Sequence, residues 1–311
     1  MMRPLDDREA ALVALGRALH ASGYRFTTVT PATHRRVNAR PANAEAEDLH
    51  GIFGWSRPFR RAILPSKLAD LLAAAGALVE VGNDRWRADV RFSSLGAQLY
   101  AHSSFPTDAA DAVFFGPDTY RFVAAVARRA RPARLAVDLG CGSGAGGLML
   151  AGRVERMILS DVNARALELS RVNAELAGAA VELAHGDLFA ALAHVGEVDL
   201  VIANPPYLVD AAARTYRDGG GRHGLELPLR IVAEGLQRLS SGGQLILYSG
   251  APFCRGVDLL RSRLLPLIDG RDLEIDYETL DPDVFGEELD EPAYRDIERI
   301  AVVCLDVRRP R

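Results

Sequence analysis

Asn204, Pro205, Pro206 and Tyr207 are the residues of this 311-residue chain best suited by type and order to chemistry. They end an apolar run, residues 198–203, that reads as a central parallel strand covered on both faces. In open α/β sheets the ligand crevice lies beyond the carboxyl ends of such strands. The two prolines fix φ and remove two backbone donors, so the chain leaves the strand in a stiff extended turn. There an asparagine carbonyl and the carbonyl of Pro205 can accept hydrogen bonds from a planar NH2 group while the Tyr207 ring meets its flat face. The same residues also suit an ordinary surface turn, so the surrounding elements must decide.

Those elements alternate between strand and helix from about residue 134. Residues 135–139 form a short apolar strand containing Asp138, and it opens into Gly140-Cys141-Gly142-Ser143-Gly144-Ala145-Gly146-Gly147 before a helix. Glycines here let the backbone approach a ligand closely. Gly142, Gly144 and Gly147 also satisfy the G-x-G-x-x-G spacing of a nicotinamide-binding fold. A second strand, 157–160, ends in Asp161, 23 residues after Asp138 and placed to meet ribose hydroxyls. A third, 181–184, runs into His185-Gly186-Asp187-Leu188-Phe189. A helix over 228–239, a turn at 240–243, a strand over 244–248 and a final strand pair at 273–277 and 300–307 complete the alternation.

The four segments DLGCGSG, SDVN, GDLF and VDLVIANPPY, in this order and spacing, resemble the adenine-N6 and glutamine-N5 group of class I S-adenosylmethionine methyltransferases, which includes the HemK-like enzymes. The resemblance is good over about residues 112–250 and implies a Rossmann-like seven-stranded sheet with S-adenosylmethionine as cofactor. It implies that Asp138, Gly140, Gly142 and Gly144 seat the methionine moiety, that Asp161 with Val162 meets ribose, and that Asp187 with Leu188 meets adenine. Asn204, Pro205, Pro206 and Tyr207 become the catalytic set. Thr119 and Tyr120, just inside a helix that leads into the sheet, become candidates for cofactor contact, although capping and packing explain them as well. No metal is implied. A nicotinamide-dependent oxidoreductase, a non-catalytic nucleotide-binding module and a DNA-binding regulator with a degenerate enzyme domain are the competing readings.

The N-terminal 105 residues differ in character. Residues 7–20 and 66–75 read as helices, the second with Ser66 as N-cap and Gly76 as stop, and 45–49 as a short third. The pattern weakens through 31–41. A hairpin follows, with residues 78–81, a turn at 82–84, and Trp86, Ala88, Val90 and Phe92 alternating inward. Helix then hairpin is the outline of a winged-helix module, and Arg85, Arg87 and Arg91 on its outer face would meet nucleic acid or simply solvent. We therefore expect two domains, 1–105 for substrate recognition, helical and winged-helix-like, and 106–311 for methyl transfer.

Composition narrows the partner. The chain is 49% hydrophobic and 25% charged, with a net charge of −4, as in ordinary soluble globular proteins. No apolar run approaches the ~20 residues that span a bilayer, and the first ten residues lack a signal peptide's apolar core, so a cytoplasmic, non-membrane protein is expected. Cys141, Cys254 and Cys304 and the seven histidines show no metal or disulfide spacing. Residues 1–105 carry +4 and 106–311 carry −8, so a polyanion would be met only by the N-terminal part. Residues 281–298 are strongly acidic, which would repel phosphate near the substrate side. A glutamine amide in a release-factor-like protein is therefore favoured as acceptor, with a base in RNA or DNA as the alternative and a small metabolite as the third class. The hairpin counts against the first, because HemK-like docking domains are all-helical. Arg222 and His223, in a glycine-rich and presumptively mobile run at 218–224, read as solvated loop residues or substrate contacts. Oligomeric state is not legible.

Overall fold

The computed structural model describes residues 3–311, leaving Met1 and Met2 of the N-terminal segment outside the described residues. Four helices open the chain: α1 (Asp7–Ala21), α2 (Pro31–Asn38), α3 (Leu49–Phe53) and, after the two-residue strand β1 (Phe59–Arg60), α4 (Ser66–Ala74). Asp6 and Glu9 close a capping box on α1, whose Leu12, Leu15 and Leu19 are buried. The expected helix at 45–49 is absent. Asp48 instead caps α3, accepting from the Gly51 N–H at 2.7 Å, while the Ala46 N–H is drawn to the Pro58 carbonyl. Helix α2, unread in the sequence, carries a signal for its own start, with Thr30 as N-cap and Pro31 in the first turn. Ser66 is the first residue of α4 and not its cap; Pro65 occupies that position without a side-chain bond.

Strands β2 (Leu78–Gly82) and β3 (Arg85–Ala88) form the expected hairpin, and β1 adds to β3. The second strand ends at Ala88, earlier than the alternation implied. Residues beyond it form a separate pair, β4 (Arg91–Leu95) with β5 (Gln98–His102), around the turn at Gly96. Phe92 therefore packs inward from a different sheet, and Arg91 is not on an outer face. It is 3% exposed, donates to Thr28 Oγ1 at 3.1 Å, and burial lowers its guanidinium to about 10. The core of this region holds Leu15, Phe53, Phe59, Leu72 and Phe92, and it extends onto Ala166, Leu169 and Val172 of the C-terminal part.

Helix α5 (Pro117–Arg129) leads into the large sheet: β6 (Ala133–Leu139), α6 (Ala145–Met149), β7 (Val154–Asp161), α7 (Ala164–Ala177), β8 (Glu182–His185), β9 (Val198–Ala203), α8 (Glu226–Arg238) and β10 (Leu239–Cys254). The short β11 (Val257–Asp258), α9 (Leu259–Ile268), β12 (Glu274–Val284) and β13 (Arg299–Arg308) finish the chain. The sheet runs β12-β13-β10-β9-β6-β7-β8, with β11 beside β10 off this path. Pairings among β8, β7, β6, β9 and β10 are parallel, and β13 is antiparallel to both neighbours. This is the seven-strand Rossmann-like order expected from the sequence. Strands β6 and β9, and the 245–248 segment of β10, are mostly apolar because both faces are covered. The chain builds outward from β6 through β7 to β8, then returns to place β9 on its other side. The carboxyl ends of β6 and β9 therefore flank the point where the order reverses, the place where such sheets open a crevice.

Candidate active site

A cleft of about 650 Å³ opens at that reversal, ample for a small-molecule site. Its floor is the loop after β6. Gly140 and Gly142 adopt φ of +67° and +56°, and a Cβ built on either meets nothing within 4 Å. Both line the cleft, so their missing side chains leave backbone open to a ligand. Gly144 is different: its φ is +77°, but a Cβ there would press on Ser170 Oγ at 3.0 Å and on Leu159, so it serves the turn and the core and not the cleft. Asp138 is also off the surface of the site. It is 1% exposed and its Oδ2 accepts from the Gly147 N–H at 2.7 Å, tying the loop to the sheet from beneath. Burial pushes its carboxyl up to about 7, with the Gly147 bond opposing and nearby Asp161 adding to the rise. These two expected cofactor contacts are thus supports.

The remaining expected cofactor residues converge. Asp161, at the end of β7, lines the cleft and braces the same loop, with Oδ2 accepting from Gly142 N–H at 2.9 Å and Oδ1 from Asn163 N–H at 2.8 Å. Each oxygen keeps a further lone pair for a hydroxyl. Val162 is 58% exposed, unusual for its type, and with Leu188 gives the cleft an apolar shelf. Asp187 holds Arg230 at 2.8 Å through one oxygen and lines the cleft. Thr119 lines it too, while its Oγ1 accepts from the Gly116 N–H at the start of α5. Tyr120 is engaged elsewhere, accepting from the Thr28 N–H at 3.1 Å. Open glycine backbone, a carboxylate on a strand end, an apolar shelf and a second carboxylate fit an amino-acid-bearing adenosine compound such as S-adenosylmethionine. Among the described residues no cluster of three or more His, Cys, Asp or Glu could hold a metal.

Beside the glycine loop, where Ala203 pairs with Leu139, the same cleft is lined by Asn204, Pro205, Pro206 and Tyr207. Asn204 is half-buried, and its amide makes no hydrogen bond among the described residues. Tyr207 is 7% exposed. One face of its ring lies on Gly250, where a Cβ would come within 2.6 Å, and Tyr248 and Phe285 stand 6.4 and 5.9 Å away between centroids. The ring also lines the cleft, where it can meet a flat group. Burial, with the Asp118 carboxylate adding, pushes the Tyr207 hydroxyl well up, so it stays protonated. Asp118 itself was not legible as a site residue: it lines the cleft and accepts from Tyr248 OH at 2.8 Å.

Two further parts of the site differ from the sequence reading or lie outside it. The first is the glycine-rich run, expected to be mobile beside the substrate but packed against the motif. A Cβ on Gly219 would lie 2.8 Å from the Pro206 carbonyl oxygen, and one on Gly224 would lie 2.6 Å from the Tyr207 carbonyl carbon. Gly219 N–H donates to the Leu208 carbonyl at 2.8 Å. Neither Arg222 nor His223 lines the main cleft. Arg222 is exposed and paired with Asp296, and His223 is 2% exposed, which removes it from solvent and substrate alike. The second is the outer wall, which takes Pro31 and Arg35 from α2, Phe105 to Asp108, and Tyr216. Tyr216 stacks on Phe114 with ring planes 6° apart. The acidic run also reaches the cleft, through Phe285, Glu287 and Glu288, and three of its eight carboxylates are paired: Asp281 with Arg121, Glu288 with Arg217 and Asp296 with Arg222.

Comparison with known proteins adds to this geometry. Residues 120–252 match the family described as methyltransferase small domain. The chain is 35% identical over 124 residues to the release factor glutamine methyltransferase of Deinococcus radiodurans, covering 36% of this chain and 44% of that protein. It is 33% identical over 150 residues to the protein of the same name from Neisseria gonorrhoeae, covering 43% and 54%. The chain thus spans about half the length of the curated relatives it matches. A tRNA m1G37 methyltransferase structure from M. jannaschii overlaps it with a TM-score of 0.47 at 14% identity, over 72% of this chain and 57% of that one, so the fold rests on the strand order above. With that order, the open glycine loop and the family match over residues 120–252, this part of the chain is similar to the methyltransferase small domain and carries the Rossmann-like sheet of class I S-adenosylmethionine-dependent methyltransferases.

Proposed function

We propose that the protein methylates a planar amide or amino nitrogen, with the side-chain amide of a glutamine in a protein partner as the favoured acceptor. The observation that carries this reading is Asn204: a half-buried amide with no partner among the described residues, lining the same cleft as the open glycines. An unpaired side-chain carbonyl beside the free carbonyl of a proline is a pair of acceptors for one NH2 group. S-adenosylmethionine, when bound, supplies a methyl group already activated by its sulfonium. The protein then needs to align the acceptor, and no covalent enzyme intermediate is required. Asn204 and the Pro205 carbonyl hold the two N–H bonds and turn the nitrogen lone pair out of conjugation. Pro205 and Pro206 keep these acceptors stiff, and the Tyr207 ring holds the plane of the acceptor. The nitrogen loses its extra proton after the methyl group has arrived.

The glutamine acceptor draws support from the relatives, which are named release factor glutamine methyltransferases. We further propose that the chain divides near residue 105 into an N-terminal part that meets the partner and a methyltransferase part. The test is transfer of labelled methyl from S-adenosylmethionine to a bacterial peptide-chain release factor, to RNA and to DNA in parallel. Label recovered as methylglutamine from the protein arm is the expected result. Label only in nucleic acid replaces the acceptor while keeping the chemistry, and no label in any arm, in the presence of bound cofactor, removes both.

A further inference from the structure

The segment leaving Tyr207 is held from two sides by groups far away in sequence. On one side the Val209 N–H donates to Tyr294 OH at 2.8 Å, and the Tyr294 ring is completely buried. On the other, residues 219–224 press their backbone on Pro206 and Tyr207 as described above. Between these stands His223. Its backbone is left-handed, with φ of +64°, a conformation that few residues with a side chain adopt. Its ring is buried, stacks on Tyr294 with planes 25° apart, and hydrogen-bonds through Nε2 to Asp296 Oδ1 at 3.1 Å. The second oxygen of Asp296 holds Arg222 at 2.6 Å. A glycine would satisfy this backbone with less strain, so a histidine here is kept for what its ring touches.

We infer that His223, Asp296 and Tyr294 form a brace that positions the Asn204 to Tyr207 turn for methyl transfer, without themselves touching acceptor or cofactor. The brace fastens the glycine-rich run to the 292–296 turn, and that run in turn bears on the motif backbone. Its role in turnover rests on the methyl-transfer reading; its mechanical role does not. Glycine at position 223 removes the ring while relieving the left-handed backbone, so the fold survives the substitution. Asparagine tolerates the same backbone and offers an amide donor to Asp296.

Amide hydrogen exchange on the full chain tests the brace directly. In His223→Gly the amides of Leu208, Val209 and Gly219 should exchange at least about tenfold faster, while those of β6 and β9 keep their protection. His223→Asn should restore part of that protection. Once the acceptor is in hand, His223→Gly should lower kcat at least about tenfold with S-adenosylhomocysteine affinity within about twofold. Unchanged exchange at the three amides overturns the brace, and faster exchange with unchanged kcat overturns its positioning role. A wild-type protein that transfers no methyl group sinks the proposed function instead, and the exchange result still decides the brace.

Discussion

Asp138, in β6, and Gly142, in the loop that follows it, do opposite jobs, and each makes a distinct prediction. Gly142 faces the open cleft in a left-handed conformation, so Gly142→Ala puts a methyl group where the ligand belongs. Calorimetry with S-adenosylhomocysteine should show at least about a tenfold loss of affinity, against a stability loss of only about 1–2 kcal/mol for the backbone. Asp138 never meets the ligand, and its effect is on stability. Its folded carboxyl is raised by burial to about 7, from an ordinary value near 4, so the folded protein binds a proton that the unfolded chain releases. The stability it contributes is full below about pH 4 and is lost as pH rises through about 7. Denaturant melts across this window should show a decline in the wild type that Asp138→Asn flattens, since asparagine keeps an acceptor for Gly147. A parallel decline in both proteins would contradict this. The residue types at these positions were legible in the sequence, but their division into contact and support was not. Spacing along a loop does not say which way each residue turns.

Strands of the catalytic half were legible because a covered parallel strand is a local apolar run, and β6, β7, β9 and β10 all announce themselves that way. Elements decided by contacts distant in sequence were not. Alternation from Trp86 to Phe92 looked like one strand, yet the chain breaks after Ala88 and Arg91 joins β5 in a second pair. The glycine-rich run looked mobile because glycine permits motion. In the structure Gly219 and Gly224 face four backbone atoms of Pro206 and Tyr207, and glycine is at these two positions because nothing larger fits. Gly219→Ala should therefore cost about 1–3 kcal/mol by overpacking, and should lower kcat more than it weakens cofactor binding. A glycine kept for flexibility alone would accept alanine with little change, so a neutral result refutes the packing account. Thermal melts paired with cofactor titration separate the two.

Charge shows the limit of counting along the chain. The acidic run at 281–298 predicts a surface hostile to phosphate, and its ion pairs with Arg121, Arg217 and Arg222 offset three of its eight carboxylates. Surface pairs of this kind add little stability; here they join the tail to the residues around the cleft. The N-terminal region likewise does more than sit beside the enzyme. Its core runs into α7, and α2 with the 105–108 segment lines the cleft, so Arg35 and Tyr216 share that cleft with Asn204. Everything converges on that asparagine. The decisive measurement is the single-turnover rate of methyl transfer by Asn204→Ala at saturating cofactor, beside its affinity for S-adenosylhomocysteine. The account predicts turnover lowered at least about a thousandfold, with cofactor affinity within severalfold of wild type. Near-normal turnover by Asn204→Ala on the true acceptor would contradict it.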